Sequence, residues 1–84
     1  MQSVTKQVTI VNRRGLHARA AAKLVKLAVQ FEASIEICRS EQCVPASSIL
    51  GLITLGAANG TEVSIRATGP DSEKAVATIT ELVA

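Results

Sequence analysis

Apolar and polar residues recur along this chain with two different periods, and the changes of period mark its elements. Val4, Val8 and Ile10 are separated by Thr5, Gln7 and Thr9, with Lys6 interrupting the set, which predicts a half-buried strand over 4–11. The polar run Asn12-Arg13-Arg14-Gly15 reads as a turn. Beyond it Ala21, Leu24, Ala28 and Phe31 fall at spacings of three and four with Leu27 beside them, the apolar face of a helix. The alanines between positions 18 and 22 favour helix by propensity and put its start near His17 or Ala18 and its end near Val29. Ile35 and Ile37 then alternate with Glu36 and Cys38. After Arg39-Ser40-Glu41-Gln42, Cys43-Val44 predicts the return arm of a hairpin with a four-residue loop. Pro45 ends that arm or sits on a sheet edge.

Ser47 or Ser48 can cap a short and unusually apolar helix carrying Ile49, Leu50, Leu52 and Ile53, with Gly56 as its stop. Asn59-Gly60 makes a turn, and Val63, Ile65 and Ala67 alternate with Glu62, Ser64 and Arg66 as a strand. Gly69-Pro70-Asp71-Ser72 punctuates the chain. Val76, Ile79 and Val83 then share one face of a last helix, flanked by Ala75 and Leu82 and capped by Asp71 or Ser72. The order β-α-β-β-α-β-α predicts an α+β fold, one four-stranded sheet covered on one face by three helices. Internal repeats, low-complexity tracts and linkers are absent from the sequence.

Composition narrows this picture. With 84 residues the chain is a single domain, 1–84. Hydrophobic residues are 48% and aromatics 1%, a single Phe31, so the core has to be built from Val, Ile, Leu and Ala. A chain of this size buries roughly 60–65% of its unfolded surface, enough to fold without metal or a disulfide framework. Nine basic residues against seven acidic ones leave +2, and Tyr and Trp are absent, which argues against a nucleic-acid module. Apolar runs fall far short of the ~20 residues that span a bilayer, and the first ten residues lack a signal-like apolar core. The expectation is a cytoplasmic protein without membrane contact. Cys38 and Cys43 have no companion pair or His cluster for a metal set. They flank the predicted loop, so a disulfide is sterically allowed, but a reducing compartment favours two free thiols.

One segment carries chemistry. In Gly15-Leu16-His17-Ala18-Arg19-Ala20-Ala21-Ala22 the sole histidine follows a glycine turn and opens a helix, where backbone N–H groups lack intrahelical acceptors. Oriented amides and the positive end of the helix dipole favour an anion there, and Arg19 can add a charge-assisted hydrogen bond. An ordinary imidazole titrates near ~6.5, so at neutral pH a ring nitrogen offers a lone pair able to attack phosphorus. A phosphohistidine passes its phosphoryl group on easily, which suits a carrier better than a hydrolase. The plainer alternative for a lone histidine here is a helix cap or a surface residue, and for Arg19 a solvated helix position. A hydrolase is disfavoured because neither a general-base pair nor a metal set accompanies His17.

Asn12-Arg13-Arg14-Gly15-Leu16-His17-Ala18-Arg19 resembles the active-site signature of the HPr family, the histidine phosphocarriers of the bacterial phosphoenolpyruvate-dependent phosphotransferase system. Two further segments are similar to that family in order and spacing. Ser47-Ser48-Ile49-Leu50-Gly51-Leu52-Ile53-Thr54-Leu55-Gly56 resembles its regulatory-serine segment, and Asn59 to Val63 with Gly69-Pro70-Asp71 resembles its last strand and turn. The resemblance covers essentially the whole chain and implies the family's open-faced β-sandwich. It also implies a role as phosphoryl-transfer intermediate, not an enzyme in its own right, although such proteins are sometimes classed with the phosphotransferases. His17 matches the phosphoryl-accepting histidine, modified at Nδ1, and Arg19 matches the phosphate-stabilising arginine. The amides of Ala18 and Arg19 are then the phosphate-contacting helix start.

The implied partners are enzyme I, an EIIA-type protein downstream and, for Ser48, an HPr kinase/phosphorylase; no cofactor and no metal is implied, and the protein is expected to be a monomer. Ser48 matches the serine that the kinase modifies in many members, whereas on structural grounds alone it is an N-cap. Ile49, Leu50 and Ile53 match docking positions. A short helix cannot bury all of its apolar residues, so part of that cluster should face outward near His17. Ala18, Arg19, Lys23 and Lys26 complete the expected partner surface, the lysines being equally consistent with an ordinary solvated face. One departure stands out: the family usually has proline directly after the arginine, and this chain has Ala20. Alanine there keeps the helix and restores an N–H, and a small residue at this position resembles a variant of the family, which implies the nitrogen-type regulatory branch over sugar uptake. The competing reading is a non-catalytic regulatory binding module of the same family, acting through Ser48 and the Ile49/Leu50 patch with His17 as a relic.

Overall fold

A computed structural model describes residues 3–11, 13–56 and 58–83. Its strands are β1 (Ser3–Thr9), β2 (Ser34–Arg39), β3 (Gln42–Pro45) and β4 (Glu62–Thr68), and its helices are α1 (Ala18–Ala28), α2 (Ile49–Thr54) and α3 (Ser72–Val83). The element order is the one the hydrophobic periods predict. The strands form one antiparallel sheet in the order β1-β4-β2-β3. The last strand in sequence therefore lies inside the sheet, with β1 and β3 as its edges.

Alternation along the strands sorts the two faces. Val63, Ile65 and Ala67 of β4, Ile35 and Ile37 of β2 and Val8 of β1 are buried under the helices. Ser64, Arg66 and Glu36 lie on the other, open face, where Arg66 and Glu36 pair at 3.6 Å. Lys6 shares the helix-side phase with Val4 and Val8 yet is exposed. A charge at this phase of an edge strand discourages pairing with a further chain. Helix α1 contributes Ala20, Ala21, Leu24 and Ala28 to the core and α3 contributes Ala75, Val76, Ile79 and Val83. The small alanines let the helices lie close to a sheet that has no aromatic residue to hold them off.

Two local expectations are corrected. The hairpin loop is two residues, Ser40-Glu41, because Arg39 pairs with Gln42. Ser40 has φ +55, the left-handed conformation that a two-residue hairpin turn demands but that serine seldom signals. The same register sets Cys38 directly opposite Cys43, and the two are joined as a disulfide where free thiols were expected. Strand pairing brings the residues together, and a compartment argument says nothing about that proximity. At the start of α3 the cap is Asp71, one of the two residues expected. Asp71 holds the cap position through its carbonyl, which accepts from Ala75 N–H at 2.9 Å, but its carboxylate accepts from Glu32 N–H at 2.8 Å. The Ser72 hydroxyl is buried without a hydrogen-bond partner. Asp71 thus ties the start of α3 to the loop after α1. The fit is tight at Gly69, φ +136, where a Cβ would lie 2.8 Å from the Glu32 carbonyl oxygen.

Helix α2 divides its apolar residues sharply. Leu52 is fully buried and Leu55 nearly so, whereas Ile49, Leu50 and Ile53 face out, Leu50 at 75% exposure. Ser48, not Ser47, is the cap, its Oγ accepting from Gly51 N–H at 3.0 Å. Gly56, φ +70, follows the last turn. No helix among the described residues is long and apolar enough to cross a membrane.

Two stability measurements check this arrangement. In urea unfolding, Leu52→Ala lowers stability by roughly 2–5 kcal/mol, while Leu50→Ala changes it by less than about 0.5 kcal/mol. Replacing both Cys38 and Cys43 by serine removes a crosslink between residues five apart and costs up to about 2 kcal/mol by loop-closure entropy, with the native sheet retained in circular dichroism.

Candidate functional site

The start of α1 is set by the chain entering it. Gly15, φ +66, turns the backbone after the Arg13-Arg14 turn, and Leu16 is buried beside Ile10 and Ala20 as an apolar anchor. Asn12, the first residue of that predicted turn, lies outside the described residues. His17 then sits at the N-cap in an extended conformation, φ −80 and ψ 176. Its carbonyl accepts the first intrahelical bond, from Ala21 N–H at 2.8 Å. Its ring Nδ1 accepts from Arg19 N–H at 3.2 Å. The histidine is therefore a cap and a candidate nucleophile at once, and the two readings are compatible.

That hydrogen bond has a chemical consequence. A neutral imidazole that accepts at Nδ1 carries its proton on Nε2, so the Nδ1 lone pair points at the helix N-terminus. Helix geometry leaves the amides of Ala18, Arg19 and Ala20 without intrahelical backbone acceptors in the first turn, and the Arg19 amide uses the His17 ring instead. A group bonded to Nδ1 would sit against these donors and at the positive end of the helix dipole.

The surroundings are a half-open cleft of about 180 Å³. His17, Arg19, Ala20 and Lys23 form one wall, and Leu82 and Val83 at the end of α3 form part of the other. Periodicity gave Leu82 and Val83 only as members of a helix face. Their place beside His17 follows from a long-range bond, Val11 N–H to the Val83 carbonyl at 3.1 Å. Lys26 is not in this cleft; it lies with Lys23, Leu27 and Gln30 in a neighbouring shallow hollow one turn along. Ser48, Ile49, Leu50 and Ile53 stand apart from the cleft, on α2, which packs against α1.

A signal in the sequence was obscured by the overall charge. The near-neutral total hides an asymmetry, because the first 31 residues contain six basic and no acidic side chains: Lys6, Arg13, Arg14, Arg19, Lys23 and Lys26. All seven acidic residues follow, from Glu32 onward. Five of the six basic residues lie in the turn before His17 or on α1 after it, so the surroundings of the histidine are cationic. Arg13 and Arg14 are both exposed, and reading them only as turn residues missed their contribution to this field.

Comparison with known proteins agrees with this geometry. A family profile described as the PTS HPr component phosphorylation site matches residues 4–84. The chain is 42% identical over 83 residues to a protein named phosphocarrier protein NPr from Shewanella violacea, covering 99% of this chain and 91% of that protein. It is 39% identical over 79 residues to phosphocarrier protein HPr from Cupriavidus necator, covering 94% and 89%. The crystal structure of a phosphocarrier protein HPr from Bacillus anthracis superimposes with a TM-score of 0.95 at 33% identity, covering 100% of both chains. An open antiparallel sheet under three helices and a sequence match running almost from end to end lead to one conclusion: the chain belongs to the HPr family of phosphocarrier proteins of the phosphotransferase system.

Proposed function

We propose that this chain accepts a phosphoryl group on Nδ1 of His17 from an enzyme I-type phosphohistidine and donates it to an EIIA-type protein. The observation that carries this reading is the bond from Arg19 N–H to His17 Nδ1, which fixes the ring with that lone pair toward the helix start. In the forward step the lone pair forms the Nδ1–P bond as the donor's P–N bond breaks, and the donor nitrogen keeps the electron pair. Nδ1 can no longer accept a hydrogen bond, so the Arg19 amide turns from the ring to a phosphoryl oxygen, joined by the Ala18 amide. The Arg19 guanidinium adds charge-assisted stabilisation. The group is held without being hydrolysed, since the described residues of the site present donors and no carboxylate base to activate water. Donation to EIIA is the same exchange reversed on a new acceptor.

Docking is assigned to the exposed Ile49, Leu50 and Ile53 with the cationic Ala18-Arg19-Lys23-Lys26 side of α1. Apolar contact supplies the adhesion and the positive field steers an acidic partner into register. Ser48 is proposed as the regulatory site of an HPr kinase/phosphorylase. A phosphoryl group on its Oγ would still accept from Gly51 N–H while adding close to two negative charges beside Ile49 and Leu50, opposing an acidic partner. The similarity to a protein named NPr, with Ala20 in the usual proline position, favours the nitrogen-type regulatory branch. The protein is taken to act in the cytoplasm, where such partners work.

Two experiments test the reading. With phosphoenolpyruvate, magnesium and an enzyme I, the wild-type chain acquires an acid-labile phosphate, and His17→Asn does not, although asparagine preserves the N-cap. Labelling of His17→Asn at the wild-type level would place the acceptor elsewhere. Ala20→Pro replaces the third residue of α1, whose N–H has no intrahelical acceptor to lose, so it folds with stability within about 1 kcal/mol of wild type and remains a phosphoryl acceptor. Thermal unfolding and the rate of label uptake read the two effects separately.

A further inference from the structure

We propose that Arg39 is a positioning residue for partner docking: it holds the C-terminal end of α2 through the Leu55 and Gly56 carbonyls and so orients the exposed Ile49/Leu50/Ile53 face without touching the partner. The inference rests on the proposed docking role of that face. Its starting point is that α2 has only six residues, too few to be stable by its own hydrogen bonds. Its direction in space must be imposed from outside. Ser48 closes one end and burial of Leu52 and Leu55 fixes its underside. The other end has no basic residue of its own in the last turn.

Arg39 supplies what is missing, from 16 and 17 residues away in the chain. Its guanidinium Nη1 donates to the Leu55 carbonyl at 3.1 Å and to the Gly56 carbonyl at 3.0 Å. These carbonyls lie just past the last helical turn, where backbone acceptors have no intrahelical donor and where the helix dipole favours a cation. Arg39 ends β2 on the helix side of the sheet, in phase with the buried Ile37. Its backbone is held by pairing with Gln42 and by the Cys38–Cys43 crosslink next to it. The facing strand supports α2 from the same hairpin: a Cβ placed on Gly51 would lie 3.2 Å from the Val44 Cβ. The clamp therefore joins a rigid hairpin to a short helix whose outer face is the docking patch.

The test uses the full chain, in wild-type form and as Arg39→Ala, Arg39→Lys and Leu50→Asp. Phosphorylation by enzyme I is followed as a function of carrier concentration. His17 is also phosphorylated directly by phosphoramidate, a small donor that needs no docking surface. Amide exchange at Leu55 and Gly56, bonded to the Gly51 and Ile53 carbonyls, reports the last turn of α2. Arg39→Ala should raise KM for the carrier roughly threefold to tenfold, with kcat and the phosphoramidate rate unchanged and exchange at the two amides about tenfold faster. Arg39→Lys, which keeps a charged nitrogen donor on a shorter side chain, should recover part of the KM change. An unchanged KM for Arg39→Ala beside a raised KM for Leu50→Asp overturns the clamp and leaves the docking face standing. Unchanged KM for both removes the docking reading and the clamp with it. A raised KM without faster exchange makes Arg39 a direct contact and overturns positioning, as does a parallel fall in kcat and the phosphoramidate rate.

Discussion

Everything in this molecule hangs on how three helices seat on one face of a small sheet with almost no aromatic side chains to fill the space between. Aliphatic and alanine side chains make that layer thin, so the helices are held at close range and their ends have fixed positions relative to the strands. Leu24, Ile65, Leu52 and Ile79, all fully buried, come from four different elements and close the same core. The central place of β4 matters most. It pairs with β1 on one side and β2 on the other, so the N-terminal strand and the hairpin are registered against a single template. Once that is set, the start of α1 and the end of α3 have to meet beside His17.

The chemistry proposed for His17 uses properties that every helix start has. A first turn with unpaired amides needs an acceptor, and the ring nitrogen of His17 provides one. The bond that caps the helix engages the same ring nitrogen that the proposed phosphoryl transfer uses. A small domain cannot enclose its own reaction. A half-open cleft with a cationic approach suits the proposed exchange with protein partners.

Net charge misled at first because it averages over the whole chain. The basic residues are gathered before Glu32 and the acidic ones after it, and the fold keeps most of the first group around one helix start. What reads as a balanced composition is a set of basic residues gathered before and along the helix that the only histidine opens. The two-residue hairpin was also hidden, since Ser40-Glu41 lacks the glycine or asparagine that normally announces a left-handed turn residue.

The sequence by itself determined the order and kind of the elements, because hydrophobic period is a local property and survives without knowledge of neighbours. It also located His17 at a helix start, a cap at Ser47 or Ser48, and the surplus apolar residues of α2, each readable from a few adjacent positions. The tertiary structure alone decided the strand order β1-β4-β2-β3, the crosslink between Cys38 and Cys43, the tie between Asp71 and Glu32, and the reach of Arg39 to the carbonyls that follow α2. The last two, like the strand order, join residues far apart in the chain, and the crosslink depends on a strand register set by the turn and the partner strands. Their geometry is fixed by which apolar faces can be buried together, a condition on the whole chain that no short stretch of sequence contains.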